Sequence, residues 1–287
     1  PAPSASQFVD VDNLRLHYLD FGDTSLPPGE DPRVKMVCLH GGAAQAHWFD
    51  FVVGPFLDDY RVLSLDLRGH GDSDWGPPDQ YNYPDFAKDT GGFIQKLGVG
   101  PVLLVGHSMG GMVGIVTAAE FPDEVGTLVV IDSMMRMSEE RAAELRGIGA
   151  GKGKSFDSRE AYVAGFRIRP ETVSALPEVI RHMAASSCRE FADGQWRNKF
   201  DRNVYARRHP IEGYAYWAKV WDAKTPALVI AGGNSNRITP DVRDKLLAAH
   251  PEVTVTTVEN AGHHVTLDNP AGYIDALATY LQPSRYR

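Results

Sequence analysis

The sequence predicts an α/β protein built on a mostly parallel, twisted sheet with helices on both faces, interrupted by one long insertion. Three observations lead there. Short β-rich apolar runs alternate with helical patterns through the first half, the alternation stops at Asp132, and it resumes at Ala227. Alternation of this kind needs crossover helices, which lay parallel strands side by side and cover both faces of their sheet.

Residues 7–11 and 14–20 read as an antiparallel hairpin turning at Asp12-Asn13. Strand patterns follow at 34–39, 62–65, 102–105 and 127–131, with helical patterns over 83–97 and 108–121. From about Met134 to about Asp222 the chain becomes polar, charged and helical, rich in aromatics toward its end (Trp196, Phe200, Tyr205, Tyr214, Tyr216, Trp217, Trp221). Strand patterns then return at 227–231 and 253–258, before a closing helix over 270–281. The expected organisation is a core of residues 1–133 and 223–287 with a helical cap of residues 134–222. That cap would lie over the carboxyl ends of the strands, where open α/β sheets bind ligands. Packing of the cap onto the sheet accounts for most of its aromatics.

Composition bounds the function. The chain has 287 residues, 43% hydrophobic and 23% charged, which suffices for one domain with an insertion or for two. A net charge of −8 gives no global attraction to nucleic acid or anionic membranes, and Arg207-Arg208 reads as a short solvated loop. No apolar run approaches the roughly 20 residues of a membrane span, and residues 1–10 lack the regions of a signal peptide, so a cytoplasmic protein is expected. The only cysteines, Cys38 and Cys188, are far apart and suggest neither a disulfide framework nor a metal site.

The chemistry concentrates at Gly106-His107-Ser108-Met109-Gly110, where a strand pattern feeds a sharp turn and a helix pattern leaves it. Glycines on either side of Ser108 allow a strained turn that presents the hydroxyl at its tip, with the N–H of Met109 aimed at the space above it. That N–H is half of an oxyanion hole. His40-Gly41-Gly42 follows the strand at 34–39 and so reaches the same sheet edge, where the N–H of Gly42 supplies the other half. A base is expected on the loop after the last strand, in Glu259-Asn260-Ala261-Gly262-His263-His264. Gly262 suits a turn presenting His263, whose neutral imidazole can accept the serine proton, while His264 points elsewhere. His17, His182, His209 and His250 read as surface or packing residues.

These pieces together resemble the α/β-hydrolase fold superfamily, in its capped, esterase-like branch, from about Phe8 to Leu281. The matching residues are His40-Gly41-Gly42 with Trp48 beyond it, Asp66 to Ser73, the elbow from Gly106 to Gly111, and Gly262-His263 followed by Asp268-Asn269-Pro270. The resemblance implies an eight-stranded sheet, and it implies that Arg68 and Asp72 structure their loop. It also exposes a departure. Relatives carry an Asp after the strand at 227–231, and Asn236 falls in that slot here. An amide orients an imidazole but cannot stabilise imidazolium by charge. Asp132, which ends the neighbouring strand, is the expected replacement, as in relatives that carry their acid there; an Asn236 triad is the alternative.

The expected activity is a serine hydrolase acting on a small apolar carboxylic ester or lactone, as a monomer or homodimer, with no cofactor or metal. Ser108 attacks, His263 shuttles the proton, Asp132 orients it, and Gly42 and Met109 hold the oxyanion. Related sites also cleave carbon–carbon or amide bonds, or run cofactor-free perhydrolysis, and a receptor-like binder with weak hydrolysis is a further alternative.

Overall fold

The computed structural model describes residues 1–281. Its elements run β1 (Ala5–Val11), β2 (Leu14–Asp20), β3 (Val34–Leu39), β4 (Tyr60–Leu65), α1 (Tyr83–Leu97), β5 (Val102–His107), α2 (Met109–Glu120) and β6 (Val125–Ile131). An insertion follows with α3 (Glu139–Ala150), α4 (Arg159–Gly165), α5 (Pro177–Ser186), β7 (Cys188–Glu190), β8 (Trp196–Asn198), α6 (Asn203–Ala206) and α7 (Gly213–Asp222). The chain closes with β9 (Ala227–Gly232), α8 (Pro240–Ala249), β10 (Thr254–Val258), α9 (Val265–Asp268) and α10 (Pro270–Tyr280).

Eight strands form one sheet in the order β1-β2-β4-β3-β5-β6-β9-β10. The β1–β2 hairpin joins β4 antiparallel, and every later pairing in this sheet is parallel. Burial follows from that topology. Alternate residues of one strand serve opposite cores: Val37 and Leu39 pack with Phe86, Phe93 and Val113, whereas Met36 and Cys38 pack with Phe49, Leu277 and Tyr273. A strand covered on both faces must be apolar at every position, which is why these strands read as unbroken hydrophobic runs. Cys38 and Cys188 are both free and buried.

The chain leaves β3 toward β4 on one side and returns to β5 on the other, opening a crevice at their carboxyl ends. The helix α1 is well bounded, with Asn82 and Asp85 forming a reciprocal capping box and Gly98 closing it in the left-handed conformation. The insertion departs from the all-helical expectation. It contains the β7–β8 hairpin, and Phe156 pairs with Trp196 beside it. Cross-strand pairing of Arg189 with Arg197 and Glu190 with Trp196 is invisible to a search for helical periodicity, because each strand spans three residues. No helix among the described residues is long and apolar enough to cross a membrane.

Candidate active site

Ser108 sits between β5 and α2 with φ 54° and ψ −115°, a conformation that costs a non-glycine residue energy and that the surrounding packing must impose. The packing is tight: a Cβ on Gly106 would lie 2.2 Å from the carbonyl oxygen of Gly110, and one on Gly110 would lie 2.3 Å from that of Leu39. Glycine at both positions is therefore a requirement of the close approach of α2 to β3 and β5. The N–H of Ser108 is donated to Ile131 O at 2.9 Å, tying the turn to the end of β6.

Asp132 follows β6 and is also strained, with φ 43°. Its carboxylate is fully buried and fully partnered. Oδ1 accepts the Gly232 N–H at 3.1 Å; Oδ2 accepts the Ser235 hydroxyl at 2.6 Å and His263 Nδ1–H at 2.7 Å. On its other side His263 Nε2 lies 2.9 Å from Ser108 Oγ. Serine, histidine and aspartate thus form one continuous relay across β5, β6 and the loop after β10. Asn236 stands apart, exposed and next to Met134 and Tyr214 at another pocket, so it does not partner the histidine. Ser235, one residue earlier, is what the loop after β9 contributes.

Burial, first, and then the neighbouring His264, Arg237 and Arg141, hold His263 below the ordinary imidazole range, so it is neutral at pH 7. Burial pushes Asp132 up from the ordinary carboxylate range, while its Ser235 and Gly232 hydrogen bonds favour the ionised form. His107, from the elbow itself, supports the histidine loop from behind. Its Nε2–H is donated to His263 O at 2.8 Å, and its ring stacks on Trp48 with centroids 5.1 Å apart. Asp268 ties the same loop to the insertion, accepting the N–H groups of Gly262 at 2.9 Å and Val173 at 2.8 Å. His264 donates its Nε2–H to Pro170 O at 2.9 Å, yet contrary to expectation its ring stays beside those of His263 and His107, with centroids 5.0 and 5.6 Å away, and lines the same cavity as Ser108.

The N–H groups of Gly42 and Met109 find no acceptor among the described residues, and both residues line the cavity that contains Ser108. The Tyr205 hydroxyl lies over Gly42, 2.4 Å from where a Cβ would stand. Two chambers meet at the serine. The smaller, about 80 Å³, is walled by Tyr83, Met109, Met112 and Met137. The larger, about 420 Å³, is walled by Trp48, Phe166, Ile168 and Met183. Arg141 and Arg237 border both.

Arg68 pairs with buried Asp89, donating from Nη2 at 2.6 Å, and Asp72 pairs with Lys199 at 2.6 Å, so both hold loops. Arg207 is exposed, but Arg208 is 1% exposed and lines the smaller chamber, contrary to a solvated loop. The sequence reading also missed His107, Ser235 and Tyr205. Ser235 carried a signal, because it lies in the loop where relatives place their acid.

A strand–elbow–helix serine, relayed to a histidine beyond the last strand, defines a hydrolase of the alpha/beta type. The chain belongs to the alpha/beta hydrolase family, whose family model matches residues 36–276. It is similar to the sn-1-specific diacylglycerol lipase ABHD11 of Mus musculus, 28% identical over 97% of this chain and 89% of that protein. It is also similar to Esterase YbfF of Escherichia coli, 27% identical over 86% of this chain and 92% of that one. Among solved structures, E-2-(acetamidomethylene)succinate hydrolase superposes with a TM-score of 0.80 at 25% identity, covering 97% of this chain and 99% of its own.

Proposed function

We propose that the protein is a serine hydrolase cleaving a carboxylic ester or lactone through an acyl-enzyme. The single observation that carries this reading is the buried Asp132–His263–Ser108 relay, 2.7 Å and 2.9 Å at its two links, beside two unused N–H groups. Hydrolases and esterases among its relatives support the class.

In this reading Ser108 Oγ attacks the substrate carbonyl carbon while His263 Nε2 takes its proton. The imidazolium so formed is stabilised by Asp132, already held ionised by Ser235 and Gly232. The N–H groups of Gly42 and Met109 donate to the oxyanion of the tetrahedral intermediate. Collapse expels the alcohol, which takes its proton from His263, and leaves the acyl group on Ser108. Water then enters, gives a proton to His263 and attacks the acyl carbon; a second collapse restores Ser108 and releases the acid. Residues 134–222 act as the cap, since they contribute Met137, Arg141, Leu145, Tyr205 and Arg208 to the chamber wall.

The test is steady-state hydrolysis of short-chain p-nitrophenyl esters and of lactones by the intact protein and by Ser108→Ala. Turnover that disappears with Ser108→Ala supports the proposal. Equal turnover by both proteins, or none by either on any ester or lactone, rejects it.

A further inference from the structure

Among the described residues, Arg61, Arg68 and Arg208 are the arginines buried to 5% exposure or less. Arg61 is answered by Asp20 at 2.7 Å and Asp31 at 3.4 Å, and Arg68 by Asp89. Arg208 has no carboxylate partner among the described residues. Its Nε and Nη1 have no hydrogen-bond partner, and its Nη2 donates only to Met109 Sδ, at 3.1 Å. What holds it is stacking, with the guanidinium 4.7 Å above the centre of the Tyr83 ring. A buried cation without a counter-charge is costly, and natural proteins rarely leave one unless something else supplies the charge.

Its location says what does. Arg208 lines the smaller chamber together with Ser108, and it touches the side chain of Met109, the residue next to Ser108. Arg141 and Arg237 line the same chamber, and no aspartate or glutamate does. Arg237 makes no ion pair among the described residues; its Nη1 faces Met134 Sδ at 3.4 Å. Arg141 pairs with Glu144 at 2.6 Å on its outer side but keeps a buried Nε without a partner. A protein of net charge −8 therefore lines the smaller chamber at its serine with three arginines.

We infer that the smaller chamber is an acyl pocket for a short acyl group ending in a carboxylate, which Arg208 receives, so that the substrate is the monoester of a dicarboxylic acid or its lactone equivalent. The larger chamber takes the alcohol portion. Arginine suits the task because its planar fork binds a carboxylate through two adjacent N–H groups; Nη2 of Arg208 carries a second hydrogen besides the one given to Met109, and this with the unpartnered Nε or Nη1 makes one such face. The proposal rests on the serine-hydrolase reading of the same site and replaces the apolar acyl group expected from the aromatic insertion.

The test compares three p-nitrophenyl esters of matched length: hydrogen glutarate, its methyl-capped diester, and pentanoate, with Ser108→Ala giving the background. The expected result is a kcat/KM for the free acid about 10- to 100-fold above the capped diester, the worth of a charge-assisted hydrogen-bond pair. That ratio should collapse toward one in Arg208→Met. Glutarate titrated calorimetrically into Ser108→Ala should bind, and should fail to bind Ser108→Ala/Arg208→Met. Arg208→Met should also unfold at the same temperature as the parent protein or higher, since it removes an unpaired charge; a structural arginine would show a fall. No preference for the free acid, or a preference that survives Arg208→Met, overturns the inference while leaving the esterase reading intact. Glutarate binding that needs Arg208, without turnover of any ester, keeps the carboxylate site and rejects the serine-hydrolase reading. Absence of both glutarate binding and preference rejects the pocket outright.

Discussion

The two walls of the substrate chamber are built on opposite principles. On the sheet side, Asp132 is answered by Gly232, Ser235 and His263, and Arg68, behind the chamber, by Asp89, while Arg237 after β9 makes no ion pair among the described residues. On the insertion side, Arg208 is as deeply buried yet keeps two nitrogens unpartnered. The difference teaches where preorganisation ends. Groups that perform the reaction must be fixed before substrate arrives, because reorganising them during the reaction would raise the barrier. Groups that select the substrate must keep bonding capacity in reserve, because the substrate is to complete it.

Loss of the nucleophile is the strongest way to break the sheet-side principle. Ser108→Ala should lower ester kcat by roughly 10⁴-fold or more with the fold intact, as measured by steady-state kinetics and circular dichroism. Asp132→Asn should cost roughly 10³- to 10⁴-fold, because the amide leaves the imidazolium without its charge. Adding Asn236→Asp to it should restore nothing, since position 236 is exposed and away from His263. Recovery of activity would mean that the loop after β9 can reach the histidine.

The contrast between answered and unanswered arginines can be sharpened by stability. Arg61→Met strands the buried Asp20 carboxylate and should destabilise the protein by about 3–5 kcal/mol in urea unfolding. Arg208→Met should cost none of this, and equal losses would erase the distinction.

The acid limb of the pH profile reports how the cations of the chamber, Arg141 from the insertion and Arg237 from the loop after β9, act on the base. His263 works as a base only when neutral, and burial, His264, Arg237 and Arg141 hold it down. Activity should therefore be lost only as the pH falls well below the ordinary imidazole value of 6.5. Removing a nearby positive charge with Arg237→Gln should move the limb upward. A limb at or above 6.5 in kcat/KM for a neutral ester, or no movement in the variant, would contradict this coupling. The smallest effect is expected from Ser235→Ala, which removes one of the donors to Asp132. It should lower kcat by about 10-fold, the value of one hydrogen bond to a charged group.

Much of the sheet-side wall is legible in the sequence because its signals are local. The limits of β3 and α1 follow from an apolar run and a helical pattern, and the elbow follows from glycines on either side of Ser108. The insertion is far less legible. Arg207 and Arg208 are neighbours of identical type, yet one is exposed and the other buried. What separates them is packing against Tyr83 and Met109, from elements about a hundred positions earlier in the chain. The β7–β8 hairpin was missed for a related reason: its three-residue strands exist through their pairing, without a period long enough to announce them.

The sequence by itself determined the parallel sheet, the serine elbow and the histidine loop, since strand patterns, glycine spacing and chain order are properties of neighbouring residues. It left two residues for the acid's place, Asp132 and Asn236, and no reason to set Arg208 apart from Arg207. Only the tertiary structure sets the two members of each pair apart. It brought the ends of β6, β9 and β10 together so that Asp132 meets His263 at 2.7 Å. It also folded the insertion inward until Arg208 faced the serine's chamber with no counter-charge. Burial and pairing of charges depend on which distant segments converge, and local sequence carries no record of that convergence.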